Sequence, residues 1–295
     1  MSSLKSSPKA FSLLELSIVI LCFGLLIGAI SQSSNIYKKY QLSNARSLTL
    51  SSEINGIDGL ILWLDATRLK SITNSSNSTN LKDGDLIKSW KSENPQTKNI
   101  FDFTQANSGE QPSYKEKGIN GLPSLFFDNN SNTTTINRLA TAHNASLSTA
   151  EFTIFAVIQP IKNTTELGEI FSFKGSSGLG FALYKKNVTS NIWSFQTWSG
   201  NGWIETIGGE AKLGTATLLT MMRNNDSSLI FNNATLAQSG IAPYELNSET
   251  SSSFFVGSGF DGFISEVIMF DRALMEEDRQ IVERYLGRKY GIKVL

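Results

Sequence analysis

The sequence predicts a mainly β protein: an antiparallel β-sandwich with a short C-terminal helix, preceded by a long N-terminal transmembrane and stalk α-helix. Three observations carry this. An uncharged run extends from Leu16 to Tyr37. From "GLILWLDATR" onward, short apolar runs recur between turns rich in Asn, Ser, Thr and Gly, with no alternation with helices. The chain then closes on "MEEDRQIVERYLGRKYG", where Ile281, Val282, Tyr285, Leu286 and Tyr290 form one apolar stripe at helical spacing.

The N-terminal run comes first. At about 1.5 Å per residue, a helix of that length can span about 30 Å of hydrocarbon. Lys5 and Lys9 precede it, the pattern of a signal peptide or signal anchor, with Ala29-Ile30-Ser31 as a candidate signal-peptidase site. Glu15 sits at or just inside one edge of the run, where a carboxylate costs about 2.5–3.5 kcal/mol and so asks for a functional reason. Ile36, Tyr40, Ala45 and Leu48 continue an imperfect helical stripe, so one helix is expected from Phe11 to about Ser51. Gly56 and Gly59 end it.

Lys9-Ala10-Phe11-Ser12-Leu13-Leu14-Glu15-Leu16 resembles the prepilin peptidase site of type IV pilins and type II secretion pseudopilins. The resemblance implies cleavage between Ala10 and Phe11, methylation of the new Phe11 amine, and a filament-assembly role for Glu15 as partner of a neighbouring subunit's N-terminus. Gly24 falls where many pilins also carry glycine. Ala10 replaces the usual Gly, and Gln32 stands where many pilins have proline. The implied organisation is a leader at 1–10, a transmembrane and stalk helix at 11–55, and a globular domain at 56–295.

Within that domain, strands are expected at 60–65, 124–128, 152–159, 169–174, 180–185, 192–198, 203–207, 216–223, 228–231, 235–238, 253–257 and 262–270. "TLLTMMRNNDSSLIFNNATLAQ" reads as a three-strand meander turning at its Asn-rich points. There is no fixed-period repeat of the solenoid or propeller kind. "GFDGFISEVIMFDRALMEEDRQIVERYLGRKYGI" resembles the last strand and closing helix of concanavalin A-like, laminin G-like jelly rolls, and "LILWLDATR" is similar to their opening strand.

Composition narrows the chemistry. Lysines plus arginines and aspartates plus glutamates both number 26, which gives no reason to expect nucleic acid as a partner. A lone cysteine, Cys22, excludes an intrachain disulfide, and with His143 as the only histidine a His/Cys zinc site lacks ligands. The jelly-roll resemblance makes calcium a candidate cofactor, with Asp65, Asp128, Asp261 and Asp226 as ligands, against their ordinary role of capping turns. In "NIWSFQTWSGNGWIE", Trp193 and Phe195 suit the core, whereas Trp198 and Trp203 flank a loop and could stack on sugar rings. Trp63 and Trp90 also read as core. Glu266, inside an apolar strand, needs a buried partner such as Arg272 or Arg284. Asp271 reads as a helix cap, or as a partner of Arg272 or Arg279.

Glu276-Glu277-Asp278 holds three acids, but at a helix start, where carboxylates favour the dipole. No strand carries the paired acids of a glycosidase, so no catalytic residue is expected. The functional expectation is a non-enzymatic prepilin-like subunit, a minor pilin or pseudopilin, with a lectin-like head for adhesion or glycan recognition. It would be a bacterial inner-membrane, single-pass precursor that later joins a pilus or pseudopilus. Its partners would be prepilin peptidase, other pilin subunits, the inner membrane and glycans. The alternatives are a membrane-anchored adhesin outside any filament and a glycan-active hydrolase.

Overall fold

The computed structural model describes residues 12–97, 101–129, 135–163, 167–174, 180–186, 191–198, 202–224, 226–241 and 252–294. It divides into two units, Met1–Ser43 and Asn44–Leu295. Helix α1 is Leu13–Leu50.

The first unit holds α1 up to Ser43. Its start is a reciprocal cap: the Ser12 amide donates to Glu15 Oε2 at 2.8 Å, and the Glu15 amide donates to Ser12 Oγ at 3.1 Å. This is the Ser-x-x-Glu capping box, which satisfies two otherwise orphaned amides at a helix N-terminus. Leu13, Leu14, Phe23 and Leu26 are exposed.

The expected long transmembrane and stalk helix requires correction. Among the described residues, no helix is long and apolar enough to cross a membrane. Between Glu15 and the polar block that starts at Ser31, residues 16–30 span about 22 Å at ~1.5 Å per residue, short of the ~30 Å of a hydrocarbon core. The polar block Ser31-Gln32-Ser33-Ser34-Asn35 follows soon after. A single-pass inner-membrane precursor is therefore not supported. The stalk changes too, because the last turns of α1 belong to the second unit, with Ala45 and Thr49 buried in it. That unit thus begins before the expected residue 56.

The second unit is a mainly β sandwich. Its first sheet contains β1 (Leu60–Asp65), β5 (Ser113–Lys115), β6 (Ser124–Phe127), β8 (Phe152–Pro160), β13 (Thr217–Asn224), β14 (Ser227–Asn232), β15 (Thr235–Ile241) and β17 (Gly262–Phe270). The second contains β2 (Ile72–Asn74), β3 (Ile87–Lys91), β4 (Asp102–Thr104), β7 (Leu139–Thr141), β9 (Gly168–Lys174), β10 (Gly180–Lys186), β11 (Ile192–Trp198), β12 (Trp203–Glu210) and β16 (Phe254–Val256). Pairing between these strands is antiparallel, in the orders β15-β14-β13-β8-β17-β6-β5, with β1 also on β17, and β12-β11-β10-β9-β16-β7-β4-β3-β2. The β13-β14-β15 meander forms at the Asn-rich turns. The short strands β2, β3, β4, β5 and β7 escape sequence reading because three to five residues are too few to show a period.

Two cores explain the patterning. Leu62, Leu64, Ile154, Ala156, Val267 and Met269 of the first sheet meet Phe171, Phe173, Phe181, Leu183, Trp193 and Phe195 of the second. On the opposite face of the first sheet, Trp63, Phe155, Val157, Ile268 and Phe270 join Val282, Tyr285, Leu286 and Tyr290 of helix α2 (Glu276–Tyr290). Covered on both sides, β8 and β17 read as continuous apolar runs rather than alternating ones. Arg279 is buried and does not pair with Asp271: its guanidinium lies 4.0 Å from the Phe231 ring centroid and its Nη1 2.5 Å from Glu283 Oε2.

Candidate functional site

Strand parity assigns the second face of the nine-stranded sheet. On β10, Phe181 and Leu183 enter the core, so Ala182, Tyr184 and Lys186 take the opposite side. On β11, Trp193 and Phe195 enter, leaving Ser194 and Gln196 opposite. Glu205 on β12 pairs with Gln196 and completes a polar cluster. The Tyr184 hydroxyl donates to Glu205 Oε1 at 2.6 Å, as does Ser194 Oγ at 2.6 Å, while Lys186 Nζ lies 2.9 Å from Glu205 Oε2.

The electrostatics follow. Burial raises the Glu205 carboxyl, but hydrogen bonds from Ser194, Tyr184 and Lys186 together outweigh it, holding the group below its ordinary range. Burial first, and then the bond to Glu205, push the Tyr184 phenol well above its own. Glu205 is thus an ionised acceptor at neutral pH, suited to receiving hydroxyl protons in hydrogen bonds and unsuited to donating one as a general acid. Glu169, on β9, is three strands away, about 14 Å at ~4.8 Å per strand, so the two acids do not share a strand or a neighbouring pair.

Of the two tryptophans singled out for sugar stacking, Trp198 and Trp203 are direct cross-strand partners at the end of β11 and β12. Trp203 is half-buried, and the Trp198 side chain lies outside the described residues. Trp193, Trp90 and Trp63 are buried, with Trp63 Nε1 donating to Glu266 Oε1 at 2.7 Å. The cluster around Glu205 escaped sequence reading. Its only trace was polar residues at alternate positions in otherwise apolar strands.

The candidate calcium ligands are not gathered into one site. Asp65 is buried and 2.7 Å from Lys289 Nζ, and its Oδ1 accepts from the Thr67 amide and hydroxyl. Glu266 pairs with the same Lys289 at 2.6 Å, not with Arg272 or Arg284, because only α2's last turn brings a cation over β17. Asp128 is exposed, and Asp226 stands apart in the β13–β14 turn. Asp261 is buried with both carboxylate oxygens lacking a hydrogen bond. Burial raises its carboxyl, Lys162 and Lys185 oppose this, and Asp128 adds to it. Two ammonium groups beside two carboxylates make a poor donor set for a hard dication. Among the described residues, no three His, Cys, Asp or Glu gather into a group able to hold a metal ion.

Asp271 Oδ1 lies 3.3 Å from Arg272 Nε, and helix α2 begins after Met275 without a side-chain cap. His143 packs its ring 5.7 Å from that of Phe173. Ala10 and Phe11 lie outside the described residues.

Comparison with known proteins places the sandwich. The family model described as the concanavalin A-like lectin/glucanases superfamily matches residues 131–278, half of the chain. No curated protein sequence matches. Domain 4 of AbnA, a GH43 extracellular arabinanase from Geobacillus stearothermophilus in complex with arabinotriose, aligns with a TM-score of 0.51 at 15% identity, over 75% of this chain and 96% of that one. The binding domain of Paraclostridial Mosquitocidal Protein 1 aligns with a TM-score of 0.53 at 14% identity, over 77% of this chain and 52% of that one. This chain thus spans nearly all of the arabinanase domain and about half of the toxin domain, and at these identities the likeness is one of fold. The matched family model and the two-sheet architecture agree, and the chain belongs to the concanavalin A-like lectin/glucanases superfamily.

Proposed function

We propose that the sandwich is a non-catalytic carbohydrate-binding module that takes a saccharide on the second face of its nine-stranded sheet. The observation that carries this is the partly exposed pair of Glu205 and Lys186, held from beneath by the buried Tyr184 and Ser194, with the half-buried Trp203 two residues before Glu205 on β12 and on the same face. An ionised carboxylate beside an ammonium donor matches sugar hydroxyls, and an indole matches the apolar face of a pyranose. Domain 4 of the arabinanase, whose structure holds arabinotriose, supports the reading by its fold. The test is calorimetry of the full chain against neutral oligosaccharides, with Trp203→Ala and Glu205→Gln as variants. Binding lost in both, with melting temperature kept, supports the site; hydrolysis of any probe would overturn the non-catalytic part.

A second reading concerns the N-terminus. The prepilin-like motif and the exposed apolar side chains of α1 favour a filament subunit that carries this module as its head. Its partners would be prepilin peptidase and other pilin-like subunits. Intact mass and N-terminal sequence of the protein from its own cells test it. An N-terminus at methylated Phe11 supports this reading, and an uncut or differently cut chain rejects it.

A further inference from the structure

A cavity lies away from the sheet face, within the sandwich unit. It is a cleft of about 380 Å³ lined by Arg46, Thr49 and Leu50 from the end of α1, by Arg68, Leu69 and Lys70 from the β1–β2 connection, and by Glu93 after β3. The volume falls within the ~300–1,000 Å³ typical of small-ligand sites.

Its charge is one-sided. Three cations face one acid, and that acid, Glu93, is ion-paired with Arg68. The end of α1 adds about half a negative charge, less than the cationic excess. Beneath Thr49, Lys289 lies between Asp65 and Glu266 and offsets part of their charge. Among the described residues, Arg46 is anchored through one nitrogen: Nε donates to the Thr67 carbonyl at 2.9 Å, and Arg46 lines the cleft. Thr67 is itself tied to Asp65. The guanidinium is thus held in place by a buried framework, as a preorganised anion site requires. Leu50 and Leu69 supply apolar wall.

We propose that this cleft binds a carboxylate-bearing sugar, a uronic acid unit, with the Arg46 and Arg68 guanidiniums and the Lys70 ammonium receiving the carboxylate and the leucines flanking the ring. Planar guanidiniums match a planar carboxylate in a two-bond fork that a hydroxyl cannot supply. The sugar part of the assignment rests on the carbohydrate-binding reading above; the anion part rests on the cleft alone.

The test is calorimetry of the full chain with digalacturonate, its neutral dimethyl ester and a sulfated disaccharide, each at low and high salt. The expected result is digalacturonate binding that weakens with salt, with the ester weaker by about tenfold, the equivalent of ~1.4 kcal/mol. Arg46→Gln and Lys70→Gln should each weaken digalacturonate several-fold and leave neutral-oligosaccharide binding at the sheet face unchanged. Lys70 has an exposed side chain, so its variant keeps the test valid if Arg46→Gln unfolds. Equal binding of acid and ester, wild-type affinity in both variants, or no binding at millimolar digalacturonate would overturn the proposal. Preference for the sulfated probe would overturn the uronate assignment. Failure of neutral binding alone would count against the sheet face and not against the cleft.

Discussion

Lys289 Nζ lies 2.6 Å from Glu266 Oε2, and neither side chain reaches solvent. The same ammonium is 2.7 Å from Asp65 Oδ2, 2.9 Å from Thr49 Oγ1 and 3.0 Å from the Tyr285 hydroxyl. Tyr290 donates to Glu266 Oε2 at 2.9 Å. One cation therefore joins β1, β17, α2 and the end of α1. Such a charge is tolerable in a core only because every neighbour is a hydrogen-bonding partner.

Removing that cation leaves two carboxylates buried without a counter-charge. Lys289→Met is expected to cost about 3–5 kcal/mol, read by urea unfolding of the full chain. A loss under ~1 kcal/mol would show that the cluster contributes little.

The same cluster sets a pH dependence. Burial, and then the like charge of Asp65, raise Glu266 above its ordinary 4.5, with Lys289 opposing. A raised carboxyl contributes stability that is fully present below the unfolded value and is lost as pH rises through the folded one. Stability is expected to fall across that window, and Glu266→Gln to flatten the fall. The penalty of Lys289→Met should shrink on acidification, because the two acids can then take up protons. A pH-independent penalty would refute this.

At the start of α1, the capping box gives Glu15 a structural role. Ser12→Ala and Glu15→Ala should each release the first turn by about 1 kcal/mol, seen as faster amide exchange there, while Glu15→Gln should keep the cap.

Tyr184 is buried and positions Glu205 rather than touching a ligand, so Tyr184→Phe should weaken binding of neutral oligosaccharides several-fold by loosening Glu205 while leaving it its bonds from Ser194 and Lys186. Unchanged affinity would move the binding site elsewhere.

Calcium provides a check on the acids. Because Asp65 is paired with Lys289 and Asp261 is flanked by Lys162 and Lys185, millimolar calcium should shift the melting temperature by less than about 1 °C. A larger rise, abolished by Asp261→Asn, would show that Asp261 holds the ion.

Much of the sandwich was legible from the sequence, for a local reason. Strands such as β1, β11 and β17 show themselves within ten residues through apolar runs bounded by turn chemistry. The apolar stripe of α2 likewise needs only 3.6-residue periodicity. The Ser12–Glu15 box is equally local, a Ser and a Glu three residues apart at a helix start.

The sequence by itself determined where chain segments would be strand, turn or helix, because those preferences are settled by neighbours along the chain. The tertiary structure alone decided which polar groups would meet. Asp65 and Lys289 are 224 residues apart, and Glu205 collects donors from two other strands. A buried charge takes whichever partner the packing brings within about 3 Å, and sequence spacing holds no record of that distance.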